Sequence, residues 1–305
     1  MAGRACSNRL MDLSIIIVNY KTKSITGDCL NSIKASTDKL KKEVIVVDNG
    51  SADGSLEYLK RRFAWVKVVD AGGNVGFARG NNIGAKLARG KYLWLLNSDT
   101  LVKKTTIQDL FNASKANQAR IASCRLLNRD GSIQPQGGYL PSLWRLAAWM
   151  WFIDDLPIIG RLINPYHQNH LSWFRKNQQP GWLAGTAMFV EKDLYQKLKG
   201  LDKDIFMYAE DVDFCLRASK LNIPVHYFSK PAITHLGQAS GSSKGAILGE
   251  YRGLTYIYKK HYNLIAQMAL KLLLKTGAML RWLIFGIILG DSTRKDIYEE
   301  AFKLA

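Results

Sequence analysis

Three short apolar runs, the first two rich in β-branched residues and each halted by a polar cluster, dominate the first hundred positions of the chain. Residues 13–18 (LSIIIV) end at Asn19-Tyr20, residues 43–47 (EVIVV) at Asp48-Asn49-Gly50-Ser51, and residues 92–96 (YLWLL) at Asn97-Ser98-Asp99-Thr100. Runs of this length and continuity read as strands buried on both faces, as in a parallel sheet covered by helices. Between them the pattern becomes helical, over about 24–36, 53–62 and 77–88, and residues 65–69 supply another strand. Strand and helix alternating at this spacing predict right-handed βαβ units, hence an α/β fold with a mainly parallel central sheet flanked by helices.

In such a sheet ligands bind at the carboxyl ends of the strands. Asp99 is delivered to that rim by a stiff element, a setting that suits a divalent cation shared with phosphate oxygens. The triplet Asn97-Ser98-Asp99 also reads as a helix N-cap. Asp48 leaves its strand where a nucleobase can sit, and its carboxylate can accept from a pyrimidine N–H. Asn74, Gly76 and Asn81 surround a helix N-terminus whose free N–H groups and dipole favour phosphate. Arg79 can add a bidentate contact to the same anion, whereas turn-making alone also accounts for Gly72, Gly73 and Gly76. The turn holds no G-x-G-x-x-G, and Gly90-Lys91 is followed by Tyr92, with Ala85 where a P-loop needs glycine. These departures speak against a dinucleotide dehydrogenase and a P-loop NTPase.

The balance of 43 Lys and Arg against 25 Asp and Glu gives a net charge of +18. Such a surplus attracts nucleic acid, anionic lipid or phosphorylated substrates, and no RNA- or DNA-reading motif accompanies it. Four scattered cysteines without a C-x-x-C pair argue against a zinc site or a disulfide framework and fit a reducing compartment. The first residues contain no apolar stretch of the kind a secretory leader carries.

Taken together, Asn19-Tyr20, VVDNGSADGS (46–55), GGNVGFARGNN (72–82), LLNSDT (95–100), GWLAGTAMFV (181–190), FMYAEDVDFCLRA (206–218) and THLGQAS (234–240) resemble the family 2 glycosyltransferases of the GT-A fold. The likeness is greatest to the bacterial rhamnosyltransferase-like branch. It spans about residues 13–240. The resemblance implies that Asp48 binds the pyrimidine of a nucleotide-sugar donor, dTDP-rhamnose or a UDP-sugar, with Asn19 and Tyr20 lining the pocket. It implies that Asn74, Gly76, Arg79, Asn81 and Ser98 hold the nucleotide. Asp99, in a DxD-like motif whose first position is Asn97, and His235 would ligate Mg2+ or Mn2+. Asp211 would be the catalytic base of an inverting transfer and Glu210 would position the acceptor, a lipid-linked or polysaccharide hydroxyl.

The residues of the acidic cluster allow both a bland and a chemical reading. Glu210, Asp211 and Asp213 fall in the first turn of a helix, where acids complement the dipole. Aromatic neighbours at 206–208 also provide a setting that raises a carboxylate pKa toward a useful base. Residues 143–163 concentrate tryptophan in a segment too broken to span a bilayer, which suggests an in-plane, membrane-facing element. His167 and His170 beyond it carry no assignment. Residues 264–290 are apolar but interrupted by Lys271, Lys275 and Arg281. They predict one or two amphipathic helices on an anionic membrane surface, with buried packing or dimerisation as the alternative. The expected organisation is a tail (1–12), a catalytic domain (13–240, divided at 102 into nucleotide and acceptor halves) and a helical membrane-associating region (241–305). The expected place is the cytoplasmic face of a bacterial membrane. A catalytically silent sugar-nucleotide-binding scaffold and a basic nucleic-acid-binding protein are the alternatives.

Overall fold

The computed structural model describes residues 11–156, 163–237 and 243–305. The first ten residues, the end of the tryptophan-rich stretch and the end of the 234–240 motif therefore lie outside the described residues. The chain opens with β1 (Leu13–Asn19), α1 (Lys23–Lys34), β2 (Lys42–Asp48), α2 (Ser55–Arg62), β3 (Lys67–Asp70), α3 (Phe77–Leu87) and β4 (Tyr92–Leu96). Strands β3, β2, β1 and β4 lie side by side and parallel, as the alternation predicts. Successive residues of β1 serve opposite faces: Leu13, Ile15 and Ile17 join one apolar core and Ile16 the other. Both faces are covered, which is why these strands read as unbroken apolar runs.

The second half departs from the parallel expectation. After β5 (Thr100–Val102), α4 (Thr106–Ala116) and β6 (Ile121–Leu127) come two short pairings, β7 (Ile133–Gln134) and β8 (Gly137–Gly138). Then follow α5 (Leu143–Met150), β9 (Trp182–Leu183), β10 (Ala187–Glu191), α6 (Lys192–Lys197), α7 (Glu210–Ser219) and β11 (Val225–His235). Strand β10 runs antiparallel between β4 and β6, so the sheet, ordered β3-β2-β1-β4-β10-β6-β11-β5, is mixed. Strand β11 runs on to His235. Its register against β6 shifts between Phe228 and Ala232, an irregularity that accommodates Pro231, which has no N–H to give the ladder. Beyond the shift β11 pairs antiparallel with β5, setting His235 opposite Thr100.

Three helices, α8 (Ser243–His261), α9 (Leu264–Arg281) and α10 (Ser292–Leu304), close the chain, with a π-helical turn at Trp282–Ile288 before the last. Leu248, Leu254, Leu270, Leu274, Ile297 and Ala301 share the core cluster that contains Ile16 and Val212. One side of α9 stays open: Leu264, Ile265, Met268, Leu272 and Met279 are each more than half exposed. Arg281, expected among the membrane-facing cations, is buried instead; its guanidinium donates to the carbonyls of Trp149 (2.7 Å) and Met150 (2.6 Å). These are terminal carbonyls of α5, which have no partner within their own helix. The tryptophans around α5 divide similarly, Trp149 packing against the core while Trp144 and Trp151 stand open to solvent. No helix among the described residues is long and apolar enough to cross a membrane.

Candidate active site

Two strands that meet only through the β5–β11 pairing bring Asp99 and His235 together. The Leu236 N–H donates to the Asp99 carbonyl at 2.8 Å, and His235 Nε2 stands 3.3 Å from Asp99 Oδ1. The other ring nitrogen, Nδ1, lies 2.8 Å from Gln134 Oε1. Donation from Nδ1 to that carbonyl oxygen is the tautomer the contact selects, and it turns the Nε2 lone pair toward the carboxylate. Two electron-rich atoms facing each other at this distance suit neighbouring ligands of one cation, which stand about 3 Å apart when each bond is about 2.0–2.2 Å. The pair therefore fits a divalent ion. Among the described residues no group of three or more His, Cys, Asp or Glu surrounds one point, so oxygens of a substrate and water would complete the shell, as is usual for Mg2+.

Glu210 and Asp211 begin α7 and are turned inward by an unusual backbone. Tyr208 and Ala209, neither of them glycine, both sit at φ +69, a conformation L-residues hold only when their surroundings impose it. Glu210 is 5% exposed, and its Oε2 has no hydrogen-bond partner among the described residues. Burial, reinforced by the charge of Asp211, pushes its pKa up to about 8. Asp211 accepts from the backbone N–H groups of Gly185 (2.8 Å, Oδ2) and Val212 (2.8 Å, Oδ1). Burial raises its pKa as well, against those two hydrogen bonds. Asp213 differs. Burial raises it, but Arg217, Lys260 and His261 outweigh that and hold it below the usual carboxylate range. Its ion pair with Lys260 and its hydrogen bond with His261 (both 2.8 Å) tie α8 to α7.

Asp99, Glu210 and Asp211 line one cavity of about 300 Å³. It adjoins a cleft of about 700 Å³ containing Tyr20, Asn74 and Ser98, the two compartments sharing Val18, Phe77, Ser98, Met207 and Tyr208. The structure thus gathers Tyr20, Asn74, Ser98, Asp99, Glu210 and Asp211, with His235 behind Asp99. Other sequence candidates stand apart. Asn19 and Asp48 are buried and bond each other: Asn19 Nδ2 donates to Asp48 Oδ1 at 2.6 Å, and Ser51 Oγ donates to the same oxygen at 2.6 Å. Neither lines the cleft. Asn81 is buried and donates to the Phe77 carbonyl one turn earlier in its own helix. Arg79 points to a separate, basic cavity, donating to the Lys203 carbonyl at 2.7 Å and lying 3.7 Å from Asp204.

The phosphate-binding helix end anticipated at Gly76 has protein partners. Gly76 N–H donates to Asn74 Oδ1 (3.3 Å) and Phe77 N–H to the Phe206 carbonyl (2.8 Å). Gly76 is needed at φ +86, because a Cβ there would lie 2.5 Å from the Phe206 oxygen. Sequence reading gave no role to the residues that α8 contributes to these compartments. Arg252 and Tyr256 reach the larger cleft, and Glu250, paired with His167 at 2.7 Å, reaches the smaller. No local pattern marks them; they arrive only because α8 packs over the turn at 208–209.

A family model described as glycosyl transferase family 2 matches residues 14–184. The low-salt glycan biosynthesis hexosyltransferase of Haloferax volcanii is 28% identical over 225 residues, 71% of this chain and 64%, just under two thirds, of that protein. The N-acetylglucosaminyl-diphospho-decaprenol L-rhamnosyltransferase of Mycobacterium tuberculosis is 25% identical over 260 residues, 81% of this chain and 83% of that one. The crystal structure of Staphylococcus aureus TarS 1-349 superposes with a TM-score of 0.53 at 14% identity, covering 96% of this chain and 90% of that one. The shared architecture is the GT-A fold.

Proposed function

Since the chain belongs to glycosyl transferase family 2, whose model covers more than half of it, we propose that it is a hexosyl-transferring enzyme that moves rhamnose from dTDP-rhamnose, or a hexose from a UDP-sugar, to a hydroxyl of a lipid-linked or polysaccharide acceptor. The rhamnosyl choice draws on the M. tuberculosis relative, whose name describes that transfer to a lipid-linked sugar. The observation that carries the reading is the pair of adjoining compartments. One is large enough for a nucleotide, and the other is lined by a cation-competent carboxylate and two acids of raised pKa.

In this reading Tyr20, Asn74 and Ser98 border the nucleotide. Asn19 and Asp48 stiffen the rim of β1 and β2, and Asp48 remains our candidate for reading the pyrimidine. Gly76, Arg79 and Asn81 act on the donor through the loop and helix that they organise. Asp99 and His235 would hold Mg2+ or Mn2+, which when bound supplies charge neutralisation to the departing diphosphate. Asp211 takes the proton of the acceptor hydroxyl as its oxygen attacks the anomeric carbon from the side opposite the leaving group, so configuration inverts. The Gly185 and Val212 N–H groups fix the Asp211 carboxylate for that task. Glu210, desolvated beside it, positions the acceptor. General-base assistance of this kind is worth about 10²–10⁴-fold.

Residues 13–240 then form the catalytic unit and residues 241–305 the helical region that covers it and meets an anionic membrane at the cytoplasmic face. The support is the open side of α9. Its exposed Leu264, Ile265, Met268, Leu272 and Met279 lie with Lys271 on a helix too polar to span, and Trp151, exposed alongside, donates its indole N–H to Thr276 at 3.2 Å. Apolar side chains with flanking cations and tryptophan are the composition of an in-plane helix. The deciding experiment incubates the protein with a panel of nucleotide sugars and Mn2+ or Mg2+ and follows slow donor hydrolysis. Cation-dependent cleavage of one donor is expected; inertness toward every donor would overturn the reading.

A further inference from the structure

The smaller compartment has a wall that the transfer mechanism above does not use. Glu250, on α8, faces it together with Glu210, Asp211 and Asp99. Its Oε1 is held by His167 Nε2 at 2.7 Å, and its side chain keeps 22% exposure. His167 in turn is fixed among three rings, with centroids 4.4 Å from Tyr166, 4.9 Å from Trp149 and 5.5 Å from Trp182. Burial lowers the His167 pKa, and the Glu250 carboxylate, with Asp154 and Asp211, more than offsets this, so the contact favours the charged imidazole within an aromatic box. An imidazole wedged this way, with the Tyr166 hydroxyl as a second hydrogen-bonding neighbour, holds Glu250 rigidly while part of its carboxylate stays open.

Four carboxyl groups around about 300 Å³ make a strongly selective space. The Asp211 and Glu250 carboxylates accept from sugar hydroxyls, and the buried Glu210, whose pKa burial pushes up to about 8, has an Oε2 with no partner among the described residues to share in such a bond. The ionised acids repel a second anion at the same range. We propose that this compartment takes a neutral sugar of the acceptor, that Glu250 binds its hydroxyls with His167 as the positioning residue, and that uronic acids and ring-phosphorylated sugars are refused. The proposal rests on the glycosyltransferase reading and names the acceptor class of that same site. It also gives the C-terminal helical region a share in choosing the acceptor.

The test presents the enzyme, loaded with the donor it hydrolyses, with octyl glucoside, octyl N-acetylglucosaminide and octyl glucuronide, reading both transfer and change in donor hydrolysis. A neutral glycoside should be used at least about tenfold better than the glucuronide. Glu250→Gln should raise the KM for that glycoside about tenfold, the range for losing a hydrogen bond to a charged group, and change KM far more than kcat. His167→Phe should raise the same KM, and Glu250→Asp should recover part of the loss. Equal or better use of the glucuronide, engagement of none of the three, or an unaltered KM in Glu250→Gln overturns the proposal while donor hydrolysis stands. Absence of donor hydrolysis in the unmodified protein would instead overturn the transferase reading beneath it.

Discussion

Gly253 of α8 presses on Ala209 so closely that a methyl group added at Gly253 would overlap the Ala209 Cβ. The contact backs the strained pair Tyr208-Ala209, which aims Glu210 and Asp211 into their cavity. Gly253→Val should therefore cost about 1–3 kcal/mol of stability, the usual range for overpacking, and lower transfer by displacing the acids. Thr255→Ala, exposed on the same helix, is the control. Urea midpoints that do not separate the two variants would count against the contact.

Replacing His235 by Ala should leave the fold intact while weakening Mn2+ binding in calorimetric titrations, and Asp99→Ala should weaken it further. A lost ligand removes a direct bond to the cation, whereas Gln134→Ala, which only orients the imidazole, should cost about 10–100-fold in affinity. Unchanged titrations for both ligand variants would remove this pair from the cation assignment.

Asp211→Asn should fold, bind nucleotide and lose transfer by about 10²–10⁴-fold. Gly185 and Val212 N–H donate to different oxygens of Asp211, so an amide keeps only one of the two bonds, and nucleotide binding of the variant is the control for its geometry. Near-normal turnover would move the base elsewhere, Glu210 first.

Stability should depend on pH through Glu210, whose pKa rises from 4.5 to about 8 on folding. The folded state then holds a proton that the unfolded state gives up, so stability falls as pH rises from about 4.5 to about 8 and levels off above. Glu210→Gln removes that dependence. Urea midpoints of the two proteins should converge near pH 4 and diverge toward pH 8, with the variant the more stable; parallel curves would contradict the buried-acid account.

Met268→Glu with Leu272→Glu should abolish sedimentation with phosphatidylglycerol vesicles and leave donor hydrolysis in solution unaltered. Both side chains are 64% exposed, so the folded core loses nothing. Binding that survives the double change would place the membrane contact on another surface.

The first hundred residues were legible because their rules are local. Uninterrupted β-branched runs can only be strands with two apolar faces, and residues 13–96 fold as those runs require. Asp99 and the pair Glu210-Asp211 were legible as strand-end and helix-start carboxylates. His235 was read from family likeness alone, since its place beside Asp99 depends on β11 passing Pro231 and pairing with β5. Arg79 and Asn81 show the limit: the motif gives their identity, but the turn at Gly76 and the docking of Phe206 decide which way each faces. Glu250 left no trace in sequence, because only the packing of α8 brings it to the cavity.

The irregularity in β11 has a consequence for biosynthesis. A ribosome delivers Asp99 early but His235 only after β6, β10 and α7, and the two meet only once the final strand has taken its place between β6 and β5. Late closure of this kind pays its loop entropy before any contact repays it. In the cation-binding reading proposed above, a nascent chain emerges without a preformed trap for stray cations, and the site matures with the last part of the sheet.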